Sequence, residues 1–408
     1  MGLQGIISEY VDNSQILPSG RLRVQIDDVI DYLNVDKTML LRFISKIKKK
    51  AVGRMEHQWQ TQERKADTVS LSAQTGWNGA STTGTFTLTN STDAWLFAET
   101  DIVMIPSESF QQAYYVTSVN QGTGVISAIT VDGTATPTIS TGTKDILLVS
   151  NSFEQGTGRG VIKSEQPTLV SNFIQIVQTP MGMTTTAKHL NYRGVSEWDK
   201  QKFEIGVDHA FKMEKNFFFG EKARVAQGHT DGSSAIGLNK YEQMFMGGMT
   251  DSAIGANTVS DGGGAGYTEA EFGAWAITAT RWAKRPVVFS GSTIFEGLTE
   301  WAQSYLQMTR NDQTLGMAIG KYLTPYGDLL PIAPHRELLT GTTLGGMAFS
   351  IDLADIEYRF LQGLDTHIEV GIEETGTKQH IDEIRSWMSM KIGQRKKHAI
   401  LHNVTSVA

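Results

Sequence analysis

Glu197-Trp-Asp-Lys-Gln-Lys-Phe203-Glu-Ile-Gly-Val207-Asp-His-Ala210-Phe-Lys-Met-Glu-Lys-Asn-Phe217-Phe-Phe219, closed by Gly220, is the stretch on which the reading of the fold turns. Phe203, Val207, Ala210 and Phe217 fall along one helical stripe, with Lys200, Lys202, Lys212 and Lys215 distributed elsewhere. Ser196 stands three residues before Asp199, an approximate capping box, and Gly220 suits a helix stop. The spacing predicts a helix of about six turns, roughly 35 Å long at 1.5 Å per residue.

Downstream the pattern changes repeatedly. Residues 227–267 are rich in turn formers, with Asp261-Gly262-Gly263-Gly264 read as a flexible break. Thr268–Lys284 reads as a second helix, Pro286–Phe289 as a buried strand and Thr293–Met308 as a third helix. Strands follow at Leu329–Ile332, Met347–Ile351, Glu357–Phe360, His367–Ile372, Trp387–Ile392 and Ala399–Val404. This is an α+β arrangement.

Upstream lies a different kind of sequence. In residues 66–160, Thr, Ser and Gly fill 39 of 95 positions, and acids outnumber bases by eight to two. Thr85–Thr89, Ala113–Val119, Val125–Val131 and Ile146–Ser150 are β-type runs spaced by Gly-containing turns, which points to a small all-β module. Thr157–Thr186 then reads as a loop-and-strand arm, β-rich at Phe173–Val177. Residues 1–65 carry eleven bases against eight acids, with helical spacing at Val24–Leu33 and Asp36–Gly53. The run Lys46, Lys48, Lys49, Lys50 and Arg54 fits either the cation-favouring end of a helix or a docking site for an acidic surface or nucleic acid.

Composition narrows the function. A 408-residue chain implies two or three domains, and its 40% hydrophobic and 19% charged residues fit a folded protein. The net charge of -7 disfavours a general nucleic-acid binder. The absence of cysteine excludes disulfides, thiolate metal sites and cysteine nucleophiles. No apolar run is long enough to span a bilayer, and the N-terminus lacks a signal-peptide pattern, so a cytosolic start is expected.

The search for chemistry returns no catalytic constellation. Gly316–Lys321 is one residue short of a phosphate loop and has Tyr322 where a hydroxyl residue would hold magnesium. His398 and His402 would share a helix face, but their surroundings read as strand and no third ligand is near. Glu373 and Glu374 beside Gly376 read as a hairpin turn. The other histidines read as structural hydrogen-bonders. No catalytic residue, metal or cofactor is expected.

The order of parts carries more than any motif. A basic N-terminal arm leads to Glu56-His57-Gln58-Trp59; an acidic β module precedes Ser171-Asn172-Phe173-Ile174-Gln175-Ile176-Val177; the long helix ends in Asn216-Phe217-Phe218-Phe219-Gly220. Tyr326-Gly327-Asp328, Pro334-His335-Arg336, Ile351-Asp352 and Tyr358-Arg359 then lie among strands. This organisation resembles the major capsid proteins of tailed bacteriophages, in the SU10-type branch of the HK97-like fold.

The resemblance implies a virion shell subunit. Residues 1–65 would be an N-terminal arm, and 66–190 an extended loop carrying a barrel-like module at about 85–152. A peripheral domain would take 191–265 and 346–395 with a spine helix at 196–220, and an axial domain 266–345 and 396–408. Hexamers and pentamers would close an icosahedral shell around double-stranded DNA, with scaffolding, portal and decoration proteins as partners. An encapsulin-like compartment shares the fold, although the β insertion counts against it; a phage adhesin or decoration protein would explain the β module but not the helix. Trp59, Arg159, Glu165, Phe173, Ile174 and Ile176 are the candidate contacts between subunits. Trp59 is either a core anchor or an intersubunit plug, and Arg159 and Glu165 could pair across subunits.

Overall fold

The long helix spans Glu197–Phe219, with Glu197 and Asp199 in its first turn, where carboxylates complement the helix dipole. Its buried side chains are Trp198, His209, Met213, Glu214, Phe217 and Phe218. Phe203 is 58% exposed, so the sheet-facing stripe is not the one drawn through it. The packing face instead includes Trp198 and His209, amphipathic side chains that a purely apolar count underweights. The residue after the helix must be glycine, because a Cβ on Gly220 would come within 2.5 Å of the carbonyl oxygens of Asn216 and Met246.

The computed structural model describes residues 48–408 apart from 64–65, 108–111, 135–137, 141, 157–159, 165, 190–196, 226–242, 302–305, 308–312, 315–316, 319, 328 and 336–339. The Val24–Leu33 helix, the Ser196 cap and most of Asp36–Gly53 lie outside the described residues. The chain divides into two compact units, one of residues 1–59 with 170–408 and one of 60–169.

In the first unit the helix lies on a five-stranded sheet. Its order is β1 (Lys49–Val52), β21 (Ile356–Leu361), β23 (Gln379–Ile392), β10 (Gln175–Thr184), with β22 (His367–Val370) also paired to β23. β10 alternates buried and exposed residues along its length and pairs antiparallel with β23 from Gln175↔Met388 to Thr184↔Gln379. Lys49–Val52 is therefore strand, not the end of a helix. Its parallel pairing with Tyr358–Leu361 is a long-range interaction that local periodicity does not contain.

A seven-stranded sheet completes the unit, in the order β13 (Thr258–Gly264), β24 (Ala399–Val404), β20 (Ala348–Asp352), β14 (Pro286–Ser290), β19 (Leu329–Pro334), β18 (Gly320–Leu323), β15 (Leu306–Gln307). Two short ribbons, β11 (Ala223–Val225) with β12 (Gln243–Phe245) and β16 (Gln313–Thr314) with β17 (Met317–Ala318), stand apart. Asp261–Gly264, expected as a break, is the bulged end of β13, an edge strand parallel to β24. Gly263 and Gly264 supply positive φ at that bulge. β20 sits in the middle of this sheet, so a boundary at 345/346 cuts through a continuous hydrogen-bonded layer.

Alternation along β14 builds two cores from one strand. Phe289 and Val287 join Val177, Phe217, Phe218 and Met388 beneath the long helix. Val288 faces the opposite cluster with Phe272, Trp275, Ile294, Leu298 and Leu401, covered by the helices Glu269–Thr280 and Ser292–Trp301. The first of these starts at Thr268, whose side chain and that of Glu271 form a complete capping box. Both helices are shorter than the sequence suggests, and Leu306–Gln307, expected as helix, pairs with β18.

The second unit contains a closed six-stranded barrel, in the order β3 (Thr68–Thr75), β4 (Thr83–Leu88), β7 (Val125–Thr130), β6 (Ala113–Asn120), β5 (Asp101–Met104), β8 (Lys144–Asn151). It begins at Thr68 rather than about 85, since β3 places Val69 and Leu71 inward between polar residues. Leu71, Phe86, Val103, Val116, Ile126 and Ile146 are fully buried and fill the interior. Trp77 stacks on Phe86 at 5.0 Å, and Tyr114 meets both rings edge-on. Closure removes free strand edges, the hazard of a small β domain. β2 (Glu56–Thr61) and β9 (Thr168–Phe173) pair with each other where the chain enters and leaves this unit.

Candidate assembly interface

Asn172, buried in the Ser171–Val177 stretch, holds three segments of the first unit together. Its Nδ2 donates to Gly247 O (3.0 Å) and Met390 O (2.8 Å), while its Oδ1 accepts from Gly247 N and Phe173 N. All four hydrogen-bonding positions of the amide are thus used, which locks β9 against β23 and the 246–248 turn. Lys222 braces the same place, with Nζ donating to Ser171 Oγ (2.8 Å) and sitting 5.1 Å from the Phe173 ring centre.

The candidate contact residues separate by burial. Trp59 is 8% exposed and stacks on His57 at 5.5 Å, the arrangement of a core anchor. Ile174 is fully buried, so its apolar surface is already used within its own chain. Phe173 is half-buried beside Lys222, and Ile176 is 45% exposed opposite Trp387 on β23. Arg159 and Glu165 lie outside the described residues. In the second unit, Val161, Ile162 and Leu169 are exposed to 58% or more. β10 forms one end of its sheet, so its outer row of backbone groups has no partner strand among the described residues.

The buried titratable groups are tied to structure. His57 Nε2 bonds Ser389 Oγ (2.8 Å); His209 lies between Thr179 Oγ1 (3.0 Å) and Ser386 Oγ (2.7 Å). His398 Nδ1 accepts the N–H of Asp352 at 3.2 Å. Burial pushes each of these imidazoles down to about 4, which keeps them neutral. His335 and Glu214 meet at 3.0 Å with both side chains fully buried. His398 and the strand Ala399–Val404 match the strand reading of that tail, and Gly376 makes the 373–376 turn with positive φ. Among the described residues no group of three or more His, Asp or Glu is placed to hold a metal ion, and no helix is long and apolar enough to cross a membrane.

The described residues also present segments with exposed isoleucine, leucine and valine, an edge strand and an inserted barrel. No curated protein matches the chain. Solved structures similar to it include one from Microbacterium phage Oxtober96, with 13% identity over 93% of this chain and 96% of that one (TM-score 0.40). The capsid of a native GTA particle aligns over 98% of this chain and 100% of that one at 7% identity (TM-score 0.45). An encapsulin from Synechococcus elongatus covers 59% of this chain and 77% of its own at 8% identity (TM-score 0.40). The assignment rests instead on a match of residues 8–405 to a single family, and the chain belongs to the SU10 major capsid protein family.

Proposed function

We propose that copies of this chain associate as hexamers and pentamers and close into an icosahedral virion shell around double-stranded DNA, assembled in the host cytoplasm and acting without catalysis. One observation supports this most: Val161, Ile162, Leu169 and Ile176 lie exposed on extended segments that their own chain leaves uncovered. Exposed apolar groups of this kind are buried economically only against neighbours. Different patches meeting head to tail generate rings and closed shells when the rotation closes.

In this reading residues 1–65 form the arm and 66–190 the extended loop, with Ile176, Phe173 and the Arg159–Glu165 region among its contacts. The long helix with its five-stranded sheet serves as the peripheral domain. The seven-stranded sheet, β20 included, with the helices Glu269–Thr280 and Ser292–Trp301 forms the axial one, and scaffolding, portal and decoration proteins complete the assembly. The barrel at 68–151 is a separate folded insertion. Size-exclusion chromatography with light scattering tests the proposal: a megadalton species is expected, and a stable monomer of about 45 kDa under all conditions contradicts it.

A further inference from the structure

The basic run at Lys48–Lys50 acquires a setting in the structure. Lys48 shares a groove of about 570 Å³ with Lys284 and Arg285, its accessible apolar floor formed by Leu329, Pro331 and Leu353. The loop bearing the last two cations is held rigidly, because the buried carboxylate of Asp352 accepts the N–H groups of Lys284 (3.0 Å) and Arg285 (3.3 Å). Neither the Lys284 nor the Arg285 side chain has a hydrogen bond or ion pair among the described residues. No carboxylate lines the groove. In a chain of net charge -7 this is a local concentration of exposed positive charge over an apolar floor.

The ligand must therefore bring both carboxylates and apolar side chains. A nucleic-acid backbone supplies charge but nothing to cover Leu329, Pro331 and Leu353, so a peptide segment fits better. The chain itself carries such a segment. Ile368-Glu-Val370-Gly-Ile372-Glu-Glu374 exposes Ile368, Val370 and Ile372 at 50%, 66% and 39%. Glu374 is exposed at the turn after β22, with no side-chain partner among the described residues. Glu369, by contrast, is held by Arg385 at 2.7 Å.

We propose that the groove of one copy receives the 368–374 segment of a second copy, with Val370 and Ile372 over the apolar floor and Glu374 against Lys284 and Arg285. The contact joins two different patches, so it propagates from copy to copy. It rests on the shell reading above and specifies one interface within it.

Carbodiimide, which condenses a carboxylate with a touching amine, tests the contact in purified shells. The expected product is a Lys284–Glu374 linked peptide. In shells co-assembled from ¹⁵N-labelled and unlabelled chains it should carry mixed isotopes, which places the link between copies. Lys284→Arg should remove the link while shells persist. Lys284→Glu with Arg285→Glu, or Glu374→Lys alone, should lower shell yield about tenfold, and combining the three should restore it. Melting curves of the unassembled variants confirm that each folds. Intact wild-type shells without the link overturn the proposal. So do reversals that leave yield unchanged, failure of the combined variant to recover, or normal shells that lose only their DNA, which would assign the groove to the genome. Absence of wild-type shells would instead sink the shell reading.

Discussion

Asn172 ties three separate segments together through one buried side chain. Replacing it with alanine strands the N–H of Gly247 and the carbonyls of Gly247 and Met390 in a buried site, a loss expected to cost about 2–4 kcal/mol. Chemical denaturation of the unassembled chain would measure it; a change below about 0.5 kcal/mol would show that the amide is dispensable. The buried histidines make a second prediction. His57, His209 and His398 are held neutral at about 4 in the fold, against an unfolded value near 6.5. Between those limits the unfolded chain binds more protons, so stability is full above about pH 6.5 and falls as pH drops toward about 4, on the order of 1–3 kcal/mol per histidine. Melting temperature against pH for His209→Gln should show a shallower fall than wild type; an identical slope would remove His209 from the account. Nothing local marks Asn172 as special, because its four partner atoms belong to residues 1, 75 and 218 positions away.

At the scale of elements, the barrel stands or falls on its own core. Phe86→Ala removes a fully buried ring that touches Trp77 and Tyr114, and is expected to destabilise residues 68–151 by about 3–5 kcal/mol. Hydrogen exchange should rise in β3–β8 while β10, β23 and the long helix keep their protection. Equal loosening of both regions would contradict the division into two units. The long helix and its stop at Gly220 were legible in the sequence, but its packing face was not, because Trp198 and His209 rather than Phe203 turn inward. Four barrel strands were likewise legible from local pattern. β3 was missed because its alternation is short and almost wholly Thr and Ser on the outer side. Lys49–Val52 and Thr258–Gly264 were misread because each is an edge strand paired in parallel with a distant segment, where lysine runs and glycines are tolerated.

For the whole molecule, the order of parts was informative where no motif was: a helix on a sheet, a second sheet and an inserted all-β module. The contact surface was less legible. Of the candidate contacts, Trp59 and Ile174 turned inward while Ile176 remained exposed, a distinction set by the pairing of β10 with β23 and not by residue type. Deleting residues 68–151 and joining the flanks separates the roles of the two units. Shells of normal yield and melting temperature would make the barrel decoration, whereas assembly lost from a folded remainder would make it a contact. The central claim, that this chain closes into a shell, meets its most direct test in negative-stain electron microscopy of the purified protein. Closed polyhedral particles, or rings of five and six subunits, are the expected images. Fields of isolated monomers, persisting when a scaffolding partner is supplied, would contradict it.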